Sequence, residues 1–430
     1  MRLELHRVFV NKLVFGNETG VAGGTLTINK KELLDLISED ERLGKNLDVD
    51  VAMPGDSVRI IPVKDVIEPR WKLEGKGQVF PGMISDVETA GEGKTLVLTG
   101  AAVVTTGKIV RFQEGIIDMS GPGADYTPYS KTCNIVLLLE PASSEMDKHD
   151  YEAACRMAGL KTAAYLARCC AGAKADRVDV FEHANIREAM GAHPGLPKVG
   201  YLYMLQTQGL LHDTYLYGVD VKKILPTILS PLEVMDGAIV SGNCVSACDK
   251  NSTYVHLNNP VIADMLKRHG KDFNFVTCIV TNENVTLADK RRSSDYAVKL
   301  AAMLGLDGIV ITEEGFGNPD ADLIMNCWKA ERLGLKTALL TDEYAGQDGA
   351  SQSLADSCVE GDACVTAGNA NEVIVLPPMK KVLGVVEEAN VIAGGWQGSL
   401  AADGTITVEL QAITGATSEL GYTKLGAYTI

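Results

Sequence analysis

The residues best suited to do chemistry lie at positions 237–254, which read GAIVSGNCVSACDKNSTY. The apolar, strand-like GAIV runs into SGNC, and the small side chains there leave the backbone free to form a tight, strained turn. A thiol at Cys244 can attack the carbonyl carbon of Asn243 and convert the amide between them into a thioester. This acyl shift needs a distorted peptide, which Gly242 favours, and a hydrogen-bond donor for the oxyanion.

Loss of the sulfur from this thioester would lead to chain cleavage and a new reactive group. Elimination across Cα–Cβ of Cys244 leaves dehydroalanine, and hydrolysis of its imine tautomer leaves an N-terminal pyruvoyl group on a piece of 187 residues, released from one of 243. Such a ketone forms a Schiff base with an amino substrate and withdraws electrons from the Cα–N bond. Spacing alone favours a simpler interpretation, an ordinary tight turn with a buried cysteine.

Three side chains close behind Cys244 could support this chemistry. Ser246 lies next to the turn, Cys248 could be a second thiol near the carbonyl, and Lys250 could hold a substrate carboxylate. For Cys248 a packing role, and for Lys250 a solvated position, are the favoured interpretations. The CxxxC spacing lacks a second ligand pair, so we expect no metal site.

An acidic segment, ITEEGFGNPDAD, follows a predicted strand. Ligands bind outside the carboxyl ends of strands in open α/β sheets, so Glu313 or Glu314 could carry a proton or bind a ligand. The favoured alternative is that both glutamates are solvated and that Asp320 and Asp322 stabilise a helix N-terminus. The Gly-x-Gly here lacks the third glycine of a dinucleotide-binding fingerprint.

His183 also follows a predicted strand, in FEHAN, and could shuttle protons near neutral pH. A structural role is the favoured interpretation for a lone histidine. No Ser/His/Asp constellation can be assembled from the spacing.

The rhythm of apolar segments places these residues in a mixed α/β protein. Residues 1–130 predict a β-rich barrel or sandwich, with one helix near positions 30–38. Residues 131–243 predict an α/β region that ends at the cleavage site. Residues 244–430 alternate strands and helices more cleanly, which predicts βαβ units and a parallel sheet with right-handed crossovers. The Gly/Thr-rich end of the sequence predicts irregular structure.

Composition excludes several classes of protein. The chain has 430 residues, and its 40 Lys+Arg against 56 Asp+Glu give a formal net charge of −16, which argues against nucleic-acid binding. No apolar run is long enough for a transmembrane helix, and the first residues lack the pattern of a signal peptide. We therefore expect a cytoplasmic protein, and in that reducing compartment its ten cysteines should not form a disulfide framework.

The segments MRLELHRVFVNKLVFG, TCNIVLLLEP and above all SGNCVSACDKNSTY resemble the proprotein subunit of component B of the glycine, sarcosine and betaine reductases. The resemblance runs along the whole sequence, and the D-proline reductase proprotein is a more distant relative. It implies cleavage before Cys244, conversion of that residue to a pyruvoyl group, and association of the two products. SGNCVSACDKN is the most specific part.

The resemblance also implies partners. A separate subunit of component B supplies a selenocysteine, whose selenolate displaces the amino group at the substrate's α-carbon. The carboxymethyl group then passes to component A, a small selenoprotein, and component C releases it as acetyl phosphate. A thioredoxin-type electron donor serves the complex. The sequence does not choose among glycine, sarcosine and betaine.

Two other functions stay open. Cys244 could remain a thiol after cleavage, as the nucleophile of an amidohydrolase, and would then react with alkylating agents. Alternatively, an uncleaved, non-enzymatic assembly subunit would use the glycine-rich turn only as a docking surface and would run as one band near 46 kDa.

Overall fold

The computed structural model describes residues 1–208, 214–242 and 246–420. Its strands up to position 182 are β1 (Arg2–Phe9), β2 (Lys12–Phe15), β3 (Gly20–Ala22), β4 (Thr25–Ile28), β5 (Asp48–Ala52), β6 (Val58–Ile67), β7 (Arg70–Glu74), β8 (Gly93–Thr99), β9 (Ala101–Gly107), β10 (Gly115–Asp118), β11 (Cys133–Leu139) and β12 (Arg177–Glu182). The later strands are β13 (Lys198–Leu205), β14 (Tyr215–Leu216), β15 (Val219–Asp220), β16 (Thr227–Leu229), β17 (Ile239–Val240), β18 (Asn274–Asn282), β19 (Gly308–Thr312), β20 (Lys336–Glu343), β21 (Cys364–Asn369), β22 (Val373–Leu376), β23 (Lys381–Gly384) and β24 (Ile406–Glu409).

The helices contain fewer residues in total than the strands. They are α1 (Lys30–Ile37), α2 (Lys148–Cys169), α3 (Ile186–Ala189), α4 (Pro231–Met235), α5 (Thr253–Leu257), α6 (Pro260–Arg268), α7 (Leu287–Met303) and α8 (Asn318–Arg332). The mixed α/β class is confirmed, as is the predicted first helix, which Asn29 caps by accepting from two backbone N–H groups.

Two mixed sheets form the N-terminal part. One has the order β12-β1-β8-β7 and the other β10-β6-β9-β11-β5. β8 and β9 are consecutive strands in different sheets, and between them Gly100 has φ 91°, where an added Cβ would lie 2.5 Å from the Val10 carbonyl oxygen. A side chain there would be strained and would meet backbone, so glycine allows the chain to turn from one sheet into the other. β11 is almost wholly buried, as its continuous apolar run predicts.

A six-stranded sheet of the order β16-β18-β13-β19-β20-β21 forms the second part. Every neighbouring pair from β18 to β21 is parallel, and β16 joins antiparallel. This confirms the predicted parallel sheet. In chain order the five parallel strands run 2-1-3-4-5, because β13 lies between β18 and β19. The strand order therefore reverses at β13, and such a reversal opens a crevice at the carboxyl ends of the strands.

Contacts between distant parts of the chain cross the predicted regional boundaries. β13 from the middle region is a central strand of the C-terminal sheet, and β23 pairs with β6 in the N-terminal one. The C-terminal stretch is not all irregular, since β24 pairs with β22. That prediction was wrong for Ile406–Glu409, where alternating burial supports a strand. In the described residues no helix combines the length and apolar character needed to cross a bilayer.

Candidate functional site

The described residues of the loop between β17 and α5, 241–242 and 246–252, lie in the protein interior. Ser241, Asn251, Ser252 and Thr253 are all buried. A buried loop must find hydrogen-bond partners for its backbone outside regular secondary structure. Those partners come from distant parts of the chain, which fixes the residues on both sides of the predicted cleavage site. Asn243 and Cys244 themselves lie outside the described residues, so the cleavage site stays a prediction.

The carbonyl of Gly242, one residue before the predicted cleavage site, accepts two hydrogen bonds. Lys250 Nζ donates to it at 2.6 Å and Ser241 Oγ at 2.9 Å. Lys250 is only 4% exposed, so the interpretation that it is solvated was wrong. A charged donor in a buried place binds a carbonyl strongly, so the Gly242 carbonyl is held firmly.

Asp65 of β6 ties the loop to the N-terminal sheets. Its carboxylate accepts from the backbone N–H of Thr253 at 3.0 Å and from the Thr253 hydroxyl at 2.7 Å. Thr253 Oγ1 in turn accepts from the N–H of Ser241 at 3.1 Å. Burial raises the pKa of Asp65, while the nearby ammonium of Lys250 opposes that shift.

Helix α2 supplies a second support. Arg156 Nε donates to the carbonyl of Ser241 at 3.4 Å, and the guanidinium lies 4.8 Å from the ring centre of Tyr215. Glu152, one turn earlier on the same helix, accepts from Arg156 at 2.7 Å through both oxygens. The helix thus presents a neutralised buried cation to the loop.

Glu314 lies where the parallel sheet reverses its order. It follows β19, and its carboxylate accepts from the backbone N–H of Gln206, which follows β13, at 3.2 Å. The other oxygen accepts from the N–H of Asn251 at 3.1 Å. Glu283, which follows β18, accepts from the N–H of Glu314 at 2.9 Å. Polar groups from three neighbouring strands therefore converge on the loop behind the predicted cleavage site.

Burial raises the pKa of a group of carboxyls around this edge of the sheet. The value reaches about 7 for Glu314 and about 6 for Asp249. The others with raised pKa values are Glu283, Glu313, Asp322, Asp342 and Glu419. Glu313 and Glu314 are at most 1% exposed, so the interpretation of solvated glutamates was wrong. This edge can hold protons at neutral pH.

Asp320 and Asp322 lie in the first turns of α8, as predicted, and each also contacts another residue. Asp320 accepts from the N–H of Gly317 at 2.7 Å at the start of α8. Asp322 pairs with Lys290 of α7, and both side chains are buried.

Cys248 lies in a polar cluster on the other side of the loop. Its thiol donates to Asp249, and the hydroxyl of Tyr344 contacts the sulfur and donates to the same carboxylate. Ligand atoms of Cys248, Asp249 and Asp342 lie within 4.8 Å of one another, a grouping that could hold a metal ion. Because burial first, and then Asp249, raise the pKa of the Cys248 thiol, it stays protonated and donates. The expectation of no metal stays a prediction.

The structure brings most of the predicted residues together but separates one. Gly242, Lys250 and the buried Ser246 are part of the loop, and Glu314 contacts it. His183 instead contacts the carbonyl of Phe275 at 3.2 Å, near the start of β18, whereas the loop lies near that strand's end. Burial lowers the pKa of His183 to about 4, so it is neutral and structural in this position.

Sequence reasoning missed several residues of this site. They are Asp65, Arg156, Asn251, His256 and Glu283. The signal for Glu283 was present, since NFVTCIVTNEN and GIVITEE both place a glutamate directly after an apolar strand. Asp65 and Arg156 carried no local signal, because their partners lie far away in the sequence.

A family model described as "Glycine/sarcosine/betaine reductase component B subunits" matches residues 1–428. The chain belongs to this family. This match confirms the resemblance seen in SGNCVSACDKNSTY. The site therefore belongs to a component B subunit of an oxidoreductase complex.

Curated relatives of component B align with nearly all of the chain. "Glycine reductase complex component B subunits alpha and beta" of Acetoanaerobium sticklandii is 62% identical, with 100% of each chain covered. The protein of the same name in Peptoclostridium acidaminophilum is 59% identical, and "Sarcosine reductase complex component B subunit alpha" of that organism is 52% identical, each with 99% coverage of both chains. No solved structure matches the chain.

The D-proline reductase proprotein of Acetoanaerobium sticklandii is a distant relative of this component B chain. It is 23% identical over 350 residues, which cover 76% of this chain and 52% of that protein. The more distant resemblance is therefore confirmed as well.

Proposed function

We propose that this component B chain is a self-cleaving proprotein, cut between Asn243 and Cys244, in which Cys244 becomes a pyruvoyl group. Two relatives that align from end to end are named as subunits alpha and beta, so a single chain there accounts for two subunits. Cleavage at this bond would produce subunits of 243 and 187 residues here.

The observation that carries the proposal is the carbonyl of Gly242, which accepts two hydrogen bonds. Lys250 and the Ser241 hydroxyl hold this carbonyl, and Arg156 holds the one before it. Side chains thus hold two successive carbonyls beside the predicted cleavage site. Attack by a side chain on its own backbone depends on such a fixed, close approach.

The residues around the loop fit a pyruvoyl group. It is small and uncharged, and its carbonyls need donors rather than a cavity for a large cofactor. The buried ammonium of Lys250 contacts the Gly242 carbonyl, Asn251 is the next residue in the loop, and His256 lies within the electrostatic field of that ammonium. When present, the group supplies an electron-withdrawing carbonyl to the amino group of the substrate.

Glycine is the proposed substrate, since the glycine reductase relatives are more similar to this chain than the sarcosine reductase relative. Betaine and sarcosine are the alternatives. The proposed partners are the selenocysteine subunit of component B, component A, component C and a thioredoxin-type electron donor, all in the cytoplasm.

Glu314 is the proposed proton carrier to the departing amine. It lies beside Lys250 and Asn251, and its pKa of about 7 allows it to hold a proton at neutral pH and to release it. A general acid works best when its pKa lies near the working pH.

Intact mass of the purified protein tests the cleavage. We expect two species, the C-terminal one lighter than its sequence because sulfur and nitrogen have been lost. Cys244→Ala should give one uncleaved species without reductase activity. Cys169→Ala, at an exposed cysteine, is the matched control and should be cleaved normally.

Other masses would favour the other functions. A C-terminal piece with an intact cysteine that reacts with an alkylating agent would indicate the amidohydrolase. A single species from the unaltered chain would indicate the assembly subunit. Cleavage of Cys244→Ala at the same bond would refute self-processing through the thiol.

A further inference from the structure

Two buried side chains, one in the loop and one in α5, have polar atoms without a hydrogen-bond partner in the described structure. Neither Nδ2 nor Oδ1 of Asn251 is paired, and Nε2 of His256 is also unpaired. Both side chains are 0% exposed. Native proteins seldom leave such atoms unsatisfied, because the loss of hydrogen bonds to water is not recovered. Their presence together points to a polar ligand.

The hydrogen-bond network indicates which ring nitrogen of His256 carries the proton. The hydroxyl of Tyr203 lies 2.7 Å from Nδ1 of His256, and Asn259 also bonds to Tyr203. If the amide of Asn259 donates to the tyrosine oxygen, the tyrosine proton goes to Nδ1 and leaves a hydrogen on Nε2. Burial and then Lys250 lower the pKa of His256 to about 3, so the ring is neutral.

The imidazole of His256 lies in the electrostatic field of Lys250. This ammonium affects the pKa values of His256, Glu314 and Asp65, and Asn251 is its neighbour in the chain. The site therefore offers one cation and two neutral N–H donors, from Asn251 Nδ2 and His256 Nε2. That combination suits a carboxylate, which accepts several hydrogen bonds and has a negative charge.

We propose that Lys250, Asn251 and His256 form a carboxylate-binding site, and that its ligand is the carboxylate of a small zwitterionic amino acid. This inference rests on the proposed function. Glu314 accepts from the backbone N–H of Asn251, and in this proposal it faces the amino group of the same molecule. Cleavage leaves a thiocarboxylate at Asn243, which water hydrolyses to a carboxylate with release of hydrogen sulfide, and this new chain terminus is the other source of a carboxylate.

Two substitutions at one position separate an anion from a cation. Asn251→Leu removes the donor with little change in size, and Asn251→Asp replaces it with a negative charge. We expect Asn251→Leu to raise the KM for glycine at least tenfold with a smaller effect on kcat, and Asn251→Asp to raise it further. Asn17→Leu, at an exposed asparagine, is the matched control.

Binding of acetate gives a readout that does not depend on turnover. Saturation-transfer NMR should detect acetate on the mature unaltered protein and lose the signal in both Asn251 variants. Intact mass of each variant shows whether it is cleaved, and circular dichroism shows whether it is folded. If Cys244 proves to be an intact cysteine but acetate binding depends on Asn251, the proposed function fails and the carboxylate site stands.

The outcomes also separate the two sources of the carboxylate. Three results together would assign the site to the Asn243 terminus. The unaltered protein would give no acetate signal, Asn251→Leu would keep an unchanged KM, and the two pieces of Asn251→Leu would separate at a lower urea concentration. Tighter glycine binding by Asn251→Asp would overturn the proposal in favour of a cation site. Unchanged KM, acetate binding and urea resistance in Asn251→Leu would overturn it altogether.

Discussion

At the scale of single residues, Lys250 combines a high burial cost with a specific task. Removing an ammonium from water is expensive unless it is paired and hydrogen-bonded. Its 2.6 Å bond to the carbonyl of Gly242 and its proximity to Asp65 and Glu314 offset that cost. The same contacts place a positive charge next to the predicted cleavage site, where negative charge develops on a carbonyl oxygen.

Lys250→Met should slow self-cleavage. The variant keeps the length of the side chain but loses the charged donor, and hydrogen bonds to charged groups contribute about 1.5–3 kcal/mol. We expect cleavage to slow by at least about tenfold. Denaturing gels of protein sampled at intervals after cell-free synthesis measure the rate.

Lys31→Met provides the control for this substitution, because the side chain of Lys31 is 82% exposed. It should be cleaved at the rate of the unaltered chain. Equal rates for both methionine variants would remove Lys250 from the processing step.

At the scale of secondary structure elements, the contact between α2 and the N-terminal sheets holds the loop in place from one side. A Cβ at Gly159 would lie 2.7 Å from both Ile67 Cδ1 on β6 and Thr105 Cγ2 on β9. This close approach of helix and sheet sets the height of Arg156, three residues earlier, above the carbonyl of Ser241.

Gly159→Leu should destabilise the protein and impair cleavage together. Overpacking of this kind costs about 1–3 kcal/mol and pushes the helix away from the sheet. We expect a lower urea midpoint and a smaller cleaved fraction.

Gly172→Ala is the matched control, since a Cβ there would meet nothing within 4 Å. Its midpoint and cleaved fraction should stay close to those of the unaltered chain. Normal cleavage in a destabilised Gly159→Leu would show that α2 does not position the loop.

At the scale of the whole molecule, the two predicted pieces share their sheets. β13 of the first piece has β18 and β19 of the second on its two sides, and β23 of the second extends the first piece's sheet at β6. Tyr201 and Tyr203 on β13 are fully buried. Separation would expose these side chains and leave open sheet edges.

The cleaved pieces should therefore elute together from a size-exclusion column. They should separate only in concentrated urea, which competes for both apolar and peptide groups. Coomassie-stained denaturing gels of the column fractions check this. Two separate peaks under native conditions would contradict the shared-sheet arrangement.

Stability should fall as the pH rises from about 4.5 to about 7. Glu314 has a folded pKa of about 7 against an ordinary value of 4.5, so between those values the folded state binds more protons than the unfolded state. Stability then decreases with rising pH, by about 3 kcal/mol for this group across the window. Other buried carboxyls with raised pKa values act in the same direction.

Glu314→Gln isolates this contribution. Urea midpoints measured from pH 4.5 to 7 should decline less steeply in the variant than in the unaltered chain. The slope is the readout, because glutamine loses one of the two backbone contacts and can be less stable at every pH. Parallel slopes would contradict a raised pKa for Glu314.

The sequence by itself determined the parts that depend on local pattern. Strand and helix periodicity identified the mixed α/β class, α1 and the parallel sheet, because side-chain burial repeats along each element. The chemistry of SGNCVSACDKNSTY and its similarity to a known family identified component B. Glu313 and Glu314 were also found, because they follow an apolar strand.

Only the tertiary structure decided which of these residues meet. The insertion of β13 between β18 and β19 brings Gln206, Glu283 and Glu314 together, and strand order has no signature in local sequence. Asp65 reaches Thr253 across 188 positions, which no periodicity predicts. Burial of Lys250 follows from these same long-range contacts, since a lysine in a polar loop is solvated unless other segments cover it.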